Sequence, residues 1–336
     1  MSSRNESPRT FKLRRLPALA LIVTVGLASS WSARAAEPLT WKFKEGEVIR
    51  YKLVQKTETK MKAGGREGGS KVEQISDVRW NVKAVSPEGL AQMTQTIDRV
   101  QVTMDTPGQP QFKFDSDAKD APQEGQLAAQ LAPMFKALAG FECSLTMDSR
   151  GRIDNIKIPK ETIDALRGSL LGQATNLFTE EGMKNMIGQS SLVLPATAEE
   201  TLPGKSWTDH AKVPVANLGT ILTEKTYTVE GPDKENADLT AIALTSKMTI
   251  EPNENAGVHL EITNQKNEGR FLFDSKNGRI AKSHVVADMT QLIMAGDQNL
   301  EQTVGNTLEM TLVPEGQPAK AEGQPAQTEA QPEKSK

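Results

Sequence analysis

Hydrophobic and polar residues alternate with period two over much of the chain between residues 39 and 313. Alternation of this kind is typical of strands that place one face on a core and the other in water. The pattern at residues 41–44 and 49–53 predicts two strands joined at a turn, Glu45-Gly46. The first half of the chain is therefore expected to form an antiparallel meander.

The same pattern recurs along the rest of the chain. Further strands are predicted near residues 78–84, 100–104 and 141–147, and then near residues 220–229, 239–250, 258–263, 270–274, 280–288 and 307–313. The glycine-rich run at residues 64–69 lies between two strand patterns, which favours a hairpin tip over an anion-binding loop.

Three stretches in the middle of the chain change to helical spacing. The apolar positions of these stretches are Leu127, Leu131, Phe135 and Leu138, then Ile163, Leu166 and Leu170, then Met183, Met186 and Ile187. Helices that are segregated between two sets of strands indicate an α+β fold rather than a parallel sheet. We expect a large curved antiparallel sheet, similar to a half-barrel, with about three helices inserted centrally.

Both ends of the chain differ from this middle region. Residues 1–35 combine a basic start, an apolar stretch at residues 16–28 and the small-residue site Ala33-Arg34-Ala35, which is the layout of a secretory signal peptide. Residues 315–336 repeat a Glu, Gln, Pro and Ala-rich heptad without large apolar side chains, which is typical of a disordered tail. We therefore expect an exported protein, periplasmic or extracellular, whose α+β domain spans residues 36–314.

An internal echo suggests two related halves, at about residues 39–195 and 196–314. Residues 145–153 and 272–280 each contain an apolar strand, an aspartate, a turn with glycine and a new strand that opens with Arg-Ile. Asp and Gly are the residues that such turns favour, so the hairpins could also have arisen independently. Duplication is one hypothesis and independent origin is the other.

Several short motifs follow one another in a recognisable order. They are Trp41-Lys42-Phe43-Lys44-Glu45-Gly46, Ala139-Gly140, the hairpin 148–153, Val193-Leu194-Pro195, Gly204-Lys205-Ser206-Trp207 and Gly278-Arg279-Ile280. Together they resemble an uncharacterised family of secreted bacterial envelope proteins, known only as a domain of unknown function. The resemblance implies no catalytic residues. The order of strands and helices is also similar in architecture to the half-barrel of periplasmic lipoprotein carriers.

Composition and charge narrow the classes of function. The chain of 336 residues has a net charge of -3, and removal of residues 1–35 would make the charge -8, because six basic residues and one acidic residue leave with them. An acidic protein is poorly suited to nucleic acid or anionic membranes. No apolar run is long enough to span a bilayer, so we expect no integral membrane protein after processing.

Residues for catalysis are scarce. The chain has one cysteine and three histidines and lacks the common nucleophile, phosphate-loop and metalloprotease motifs, so we expect no enzyme, no cofactor and no metal site. His259, Glu261 and His284 could hold a metal only if His284 came from a neighbouring strand, and exposed surface positions are the favoured interpretation. Cys143 alternates with Phe141 and Leu145, which favours a buried, unreactive thiol.

Two hypotheses for the function remain open. The first is a carrier or binder of a lipid or other apolar ligand in the cell envelope. Its candidate cavity-lining residues are Leu131, Phe135, Leu166, Met183 and Met186, because they lie on the inward stripes of the predicted helices. The second is a structural or protein-interaction module of the envelope, which would contact another envelope protein.

Overall fold

The computed structural model describes residues 38–119, 125–161, 163, 182, 184, 187–188, 191–215, 219–253, 258–296 and 298–314. Within these residues the chain forms twelve strands, one α-helix that is described along its whole length and a short 3-10 turn at Glu199–Thr201, and residues 160–161, 163, 182, 184 and 187–188 are also helical. The protein is therefore mostly β.

The elements follow one another in this order along the chain: β1 (Val48–Ala63), β2 (Arg66–Val85), β3 (Ala91–Asp105), β4 (Phe112–Asp115), α1 (Gln126–Leu138), β5 (Glu142–Met147), β6 (Ile153–Lys157), β7 (Ser206–Val215), β8 (Gly219–Pro232), β9 (Leu239–Pro252), β10 (His259–Asp274), β11 (Arg279–Ala295) and β12 (Gln298–Val313).

All twelve strands belong to a single antiparallel sheet. Its order is β6-β5-β3-β2-β1-β12-β11-β10-β9-β8-β7, and the short β4 pairs with β3. The first strand and the last strand are neighbours in the middle of the sheet, paired from Arg50 with Val313 to Ala63 with Leu300. Within the described residues β6 and β7 pair on one side only, so the sheet is not closed.

The sheet curls around one core. The ring of Trp41, which precedes β1, lies 6.1 Å from that of Trp80 in β2 and 5.8 Å from that of Phe273 in β10. Three other strands separate β2 from β10, so a flat sheet would hold them about 19 Å apart. The face that packs on Trp41 is called the inner face below, and the opposite face is the outer face.

Alternation within the strands explains which side chains reach the core. In β2, Val78, Trp80 and Val82 are buried, whereas Lys83 is exposed. The core occupies one end of the inner face and includes side chains of every strand except β4. A second cluster forms where α1 packs on β3 and β4 around Val100, Val102, Phe112, Ala128 and Phe135.

Two hairpin turns lie at the end of the sheet that contains the core, and both bond to the segment before β1. The turn between β5 and β6 accepts a hydrogen bond from Trp41 N at Ser149 O (2.8 Å), and the turn between β10 and β11 accepts one from Lys42 N at Gly278 O (3.0 Å). These are the two turns of the sequence echo, and they hold the segment before β1 from two sides. Trp41 Nε1 also donates to Leu192 O at 3.0 Å.

The structure corrects three sequence-based predictions. About three central helices were expected, but α1 is the single α-helix among the elements of the described region. Ile163 N donates to Pro159 O as in a helical turn, and most of both other predicted helices lies outside the described residues. An α+β fold is therefore replaced by a mostly β fold.

The other two corrections concern strands. Residues 41–44 lie outside the sheet, because the amides of Trp41 and Lys42 donate to hairpin turns rather than to a neighbouring strand. The strands predicted near residues 258–263 and 270–274 are one continuous strand, β10, because the polar residues between them still pair with β11.

Candidate ligand-binding face

The inner face continues well beyond the packed core. Along β1, Ile49 and Tyr51 are buried, Leu53 and Thr57 on the same face are partly buried, and Met61 near the tip is 39% exposed. The neighbouring strands from β7 to β12 show the same gradient from buried to partly buried positions. Half of the inner face is therefore outside the core.

A row of directly paired residues crosses the inner face at the border of the core. Its members follow from the register of seven strands and are Asp209, Lys225, Ser246, Asn267, Ala287, Asn306 and Thr57, hereafter the polar row. All of them except Ala287 are polar. Asn306 Oδ1 accepts hydrogen bonds from Gln55 Nε2 and Thr57 Oγ1, both at 3.1 Å.

Apolar side chains dominate the inner face beyond the polar row. This set, hereafter the apolar band, consists of Met61, Val213, Ile221, Met248, Ile250, Leu260, Ile262, Met289, Ile293, Leu300 and Val304. All of them except Met61 are partly buried. Large apolar patches that a core does not fill are typical of interaction sites.

The outer face of the same strands has the opposite character. Exposed charged side chains occur there on neighbouring strands, for example Lys56, Lys247, Lys266 and Glu301. In β9, exposed Lys247, Thr249 and Glu251 alternate with partly buried Met248 and Ile250 of the apolar band. The difference between the two faces extends to the ends of the strands, far beyond the residues that the core requires.

Only two charged side chains lie on the inner face of the described parts of β1 and β7 to β12. They are Asp209 and Lys225, which are direct cross-strand neighbours in the polar row. Lys225 Nζ donates to Gly188 O at 2.9 Å, and burial lowers the pKa of Lys225 while the Asp209 carboxylate partly opposes this shift.

The sheet divides between β9 and β10 next to the polar row. Backbone pairing of these strands ends at Ser246 with Asn267, whereas β8 and β9 pair as far as Pro252 and β10 and β11 as far as His259. Beyond this point the Gln265 side chain replaces the backbone of β10 as the partner of β9. Its amide donates to Met248 O and accepts from Met248 N, both at 2.7 Å. The apolar band therefore lies on both sides of a gap in the backbone pairing.

The structure places two of the predicted cavity-lining residues on α1. Phe135 is buried, and its ring lies 6.1 Å from that of Phe112 and 5.8 Å from that of Phe114. Leu131 is partly buried against the same cluster. Leu166, Met183 and Met186 lie outside the described residues. Contact of any of these five residues with a ligand stays a prediction.

Sequence reasoning missed the polar row and the apolar band. A signal for Lys225 was present, because this lysine occupies an inner position in the series Ile221, Thr223, Lys225, Tyr227 and Val229. Its neighbours in the row could not be found from the sequence, since their alignment depends on the register of each strand pair, and Thr57 comes from the distant strand β1.

The cysteine and histidines considered as candidates for catalysis or metal binding do not form a site in the described structure. Cys143 is buried, as expected, and burial raises the pKa of its thiol to about 12. His284 pairs with Arg270, whereas His259 lies eleven residues further along β10, about 36 Å away. In the described parts of the chain no three His, Cys, Asp or Glu side chains form a group suited to a metal ion.

The glycine-rich run is a hairpin tip, as expected. Gly64 and Gly65 form the turn between β1 and β2, both with positive φ. In the part of the chain that the structure describes, no helix is both long enough and apolar enough to cross a bilayer.

The sequence matches the model of a family of unknown function (DUF6263) over residues 88–280. This match covers more than half of the chain, so the protein belongs to that family, which confirms the resemblance noted from its motifs. No curated protein sequence matches the chain.

Three solved structures are similar to parts of the chain at low identity. The structure titled lipid–protein interactions in lipovitellin has 14% identity and a TM-score of 0.45, and the match covers 85% of this chain but only 27% of lipovitellin. DynF of the dynemicin pathway of Micromonospora chersina has 7% identity and a TM-score of 0.22, with 83% and 86% of the two chains covered.

The third is a putative outer membrane lipoprotein-sorting protein domain from Vibrio parahaemolyticus. It has 8% identity and a TM-score of 0.12, with 76% of this chain and 84% of that chain covered. All three scores are too low to establish a shared fold.

Proposed function

We propose that this is an exported, non-enzymatic protein of the cell envelope that binds an apolar ligand on its inner face. One observation carries the proposal: beyond the polar row the inner face is uncharged and largely apolar, while the outer face of the same strands is charged. Binding sites for small apolar molecules combine such surfaces with a few polar groups. The polar row supplies these groups.

The character of the apolar band favours a ligand over a purely structural role. Residues that serve only the stability of a sheet are buried by its core, and the band extends past the core by several residues on each strand. Among the described residues, the packed core does not include these side chains. A ligand that covers them removes apolar surface from water, at about 25 cal/mol for each Å².

Binding of a fluorescent fatty-acid analogue to the purified protein tests this proposal. Ile250→Glu places a charge in the apolar band and should abolish binding, because burial of an unpaired carboxylate is costly. Thr249→Glu is the matched control, since it adds the same charge one residue away on the outer face and should leave binding unchanged. Equal binding by both variants and the unaltered protein would exclude the apolar band as the site.

Mass spectrometry under native conditions identifies a ligand that stays bound to the protein during purification. Protein purified from its own envelope should retain a lipid or another apolar molecule, and N-terminal sequencing of the exported form should begin at or near Ala36. A protein that retains Met1 would contradict the export part of the proposal.

A second candidate function is an interaction module of the envelope. It is favoured by the open sheet, because β6 and β7 each pair on one side only within the described residues and such edges can accept a strand from a partner. Pro214 in β7 limits this, since proline cannot donate to a ladder. Co-purification of one envelope protein with no bound lipid would favour this function over ligand binding.

A further inference from the structure

Lys225 has capacity for an anion. An ammonium can donate three hydrogen bonds, and among the described residues Lys225 donates one, to Gly188 O at 2.9 Å. The side chain also lies on a face that is otherwise apolar or uncharged apart from Asp209. Burial without full compensation disfavours the charged form, which agrees with the lowered pKa of Lys225.

The position of Lys225 relates it to the apolar band. Lys225 and its cross-strand neighbour Ser246 both lie on the polar row. Four residues away from the row, on the same face of β8 and β9, lie Ile221 and Ile250, which pair with each other in the apolar band. Four residues of a strand span about 13 Å. An alkyl chain that starts at Lys225 and runs along these strands therefore lies on the apolar band.

Asp209 has the opposite effect on the same site. It is the direct cross-strand neighbour of Lys225, and no ion pair within 4.0 Å joins the two among the described residues; the ammonium donates to Gly188 O. A carboxylate on the directly paired residue repels an anion bound at Lys225, and this repulsion weakens the attraction of the anion to the ammonium. The effect of Asp209 on affinity therefore distinguishes an anionic head group from a neutral one.

We propose that the ligand is an acidic amphiphile, whose carboxylate or phosphate head group pairs with the Lys225 ammonium and whose alkyl chain covers the apolar band. This inference rests on the proposed function and adds the chemical class of the ligand and the residue that selects it. Charge-assisted hydrogen bonds from lysine to carboxylate or phosphate are about twice as strong as neutral ones.

Two fluorescent probes test the head group, used with the full chain near neutral pH and below their micelle concentrations. One is dansylaminoundecanoic acid, and the other is its uncharged methyl ester. The acid should bind roughly tenfold tighter than the ester, and Lys225→Met should remove this difference by weakening the acid alone. Lys225→Arg should retain it. Competition by dodecanoate and by dodecyl phosphate distinguishes a carboxylate ligand from a phosphate ligand.

Asp209→Asn is the second variant, and its expected effect has the opposite sign. Loss of the neighbouring negative charge should tighten binding of the acid several-fold and leave the ester unchanged. If Lys225 only anchored the segment at Gly188, Lys225→Met would weaken both probes equally, and that result would overturn the inference.

Two further outcomes separate the inference from the proposed function. Equal binding of acid and ester by the unaltered protein and by Lys225→Met would refute the acidic head group and leave an apolar ligand in place. Binding of neither probe by the unaltered protein would overturn both.

Discussion

Gly151→Ala should destabilise the protein strongly, because a methyl group at this position would collide with Trp41 and with the backbone at Leu192. Gly151 has φ of +86°, and a Cβ built on its backbone lies within 3.0 Å of both Trp41 Nε1 and Leu192 O. These two atoms form the hydrogen bond that ties the segment before β1 to the chain after the predicted helices. The glycine is therefore required by close approach as well as by its turn.

Two contributions set the expected magnitude. An alanine in the left-handed region costs about 1 to 2 kcal/mol. Separation of Trp41 Nε1 from Leu192 O leaves buried polar groups unpaired, at about 1 to 3 kcal/mol. Together they predict a decrease of about 2 to 5 kcal/mol in the free energy of unfolding.

Gly46→Ala provides the matched control for this prediction. Gly46 has φ of +78°, and nothing lies within 4 Å of a Cβ built there, so only the backbone cost of about 1 to 2 kcal/mol applies. Urea unfolding followed by circular dichroism and tryptophan fluorescence measures both variants. Equal losses of stability would show that the close approach to Trp41 has no energetic role.

Two substitutions, measured by equilibrium unfolding, and one thiol-labelling experiment test other parts of the molecule. Phe135→Ala should cost about 3 to 5 kcal/mol, since the ring packs against Phe112; a loss below about 1 kcal/mol would contradict this packing. Hydrogen bonds from Arg99 lower the pKa of Asp115 to about 2, so the stability they provide is present above about pH 4 and is lost as the pH falls towards 2. Arg99→Gln should therefore cost about 1 to 2 kcal/mol near neutral pH and much less at about pH 2, and a pH-independent loss would contradict this. Cys143 should react with a thiol reagent only after unfolding, and rapid labelling of the folded protein would be inconsistent with its burial.

Local patterns in the sequence located part of most strands but not their full length. The strand predicted near residues 307–313 is the end of β12, which starts at Gln298. Its earlier inner positions include Gln302 and Asn306, which interrupt the hydrophobic period without ending the strand. Polar residues are tolerated there because Gln302 and Asn306 bond to side chains of neighbouring strands.

The candidate site depends on register, which the sequence does not express. Asn267 and Asn306 were visible as polar residues in or near predicted strands, but their alignment with Thr57 follows from pairing across four strands. A shift of one residue in any pairing would turn such a side chain to the outer face. The sequence could therefore predict that each strand has one apolar side and one polar side, but not which side chains of different strands lie next to one another.

Pairing of β1 with β12 has a consequence for the order of folding. Fourteen residues of the first strand pair with the last strand, so the middle of the sheet joins segments about 250 residues apart in sequence. Contacts of such separation slow folding, because the entropy cost of closing the loop between them must be met before they form. Until β12 has left the ribosome, β1 and β11 each keep an unpaired edge, and these edges are sites for mispairing with other chains.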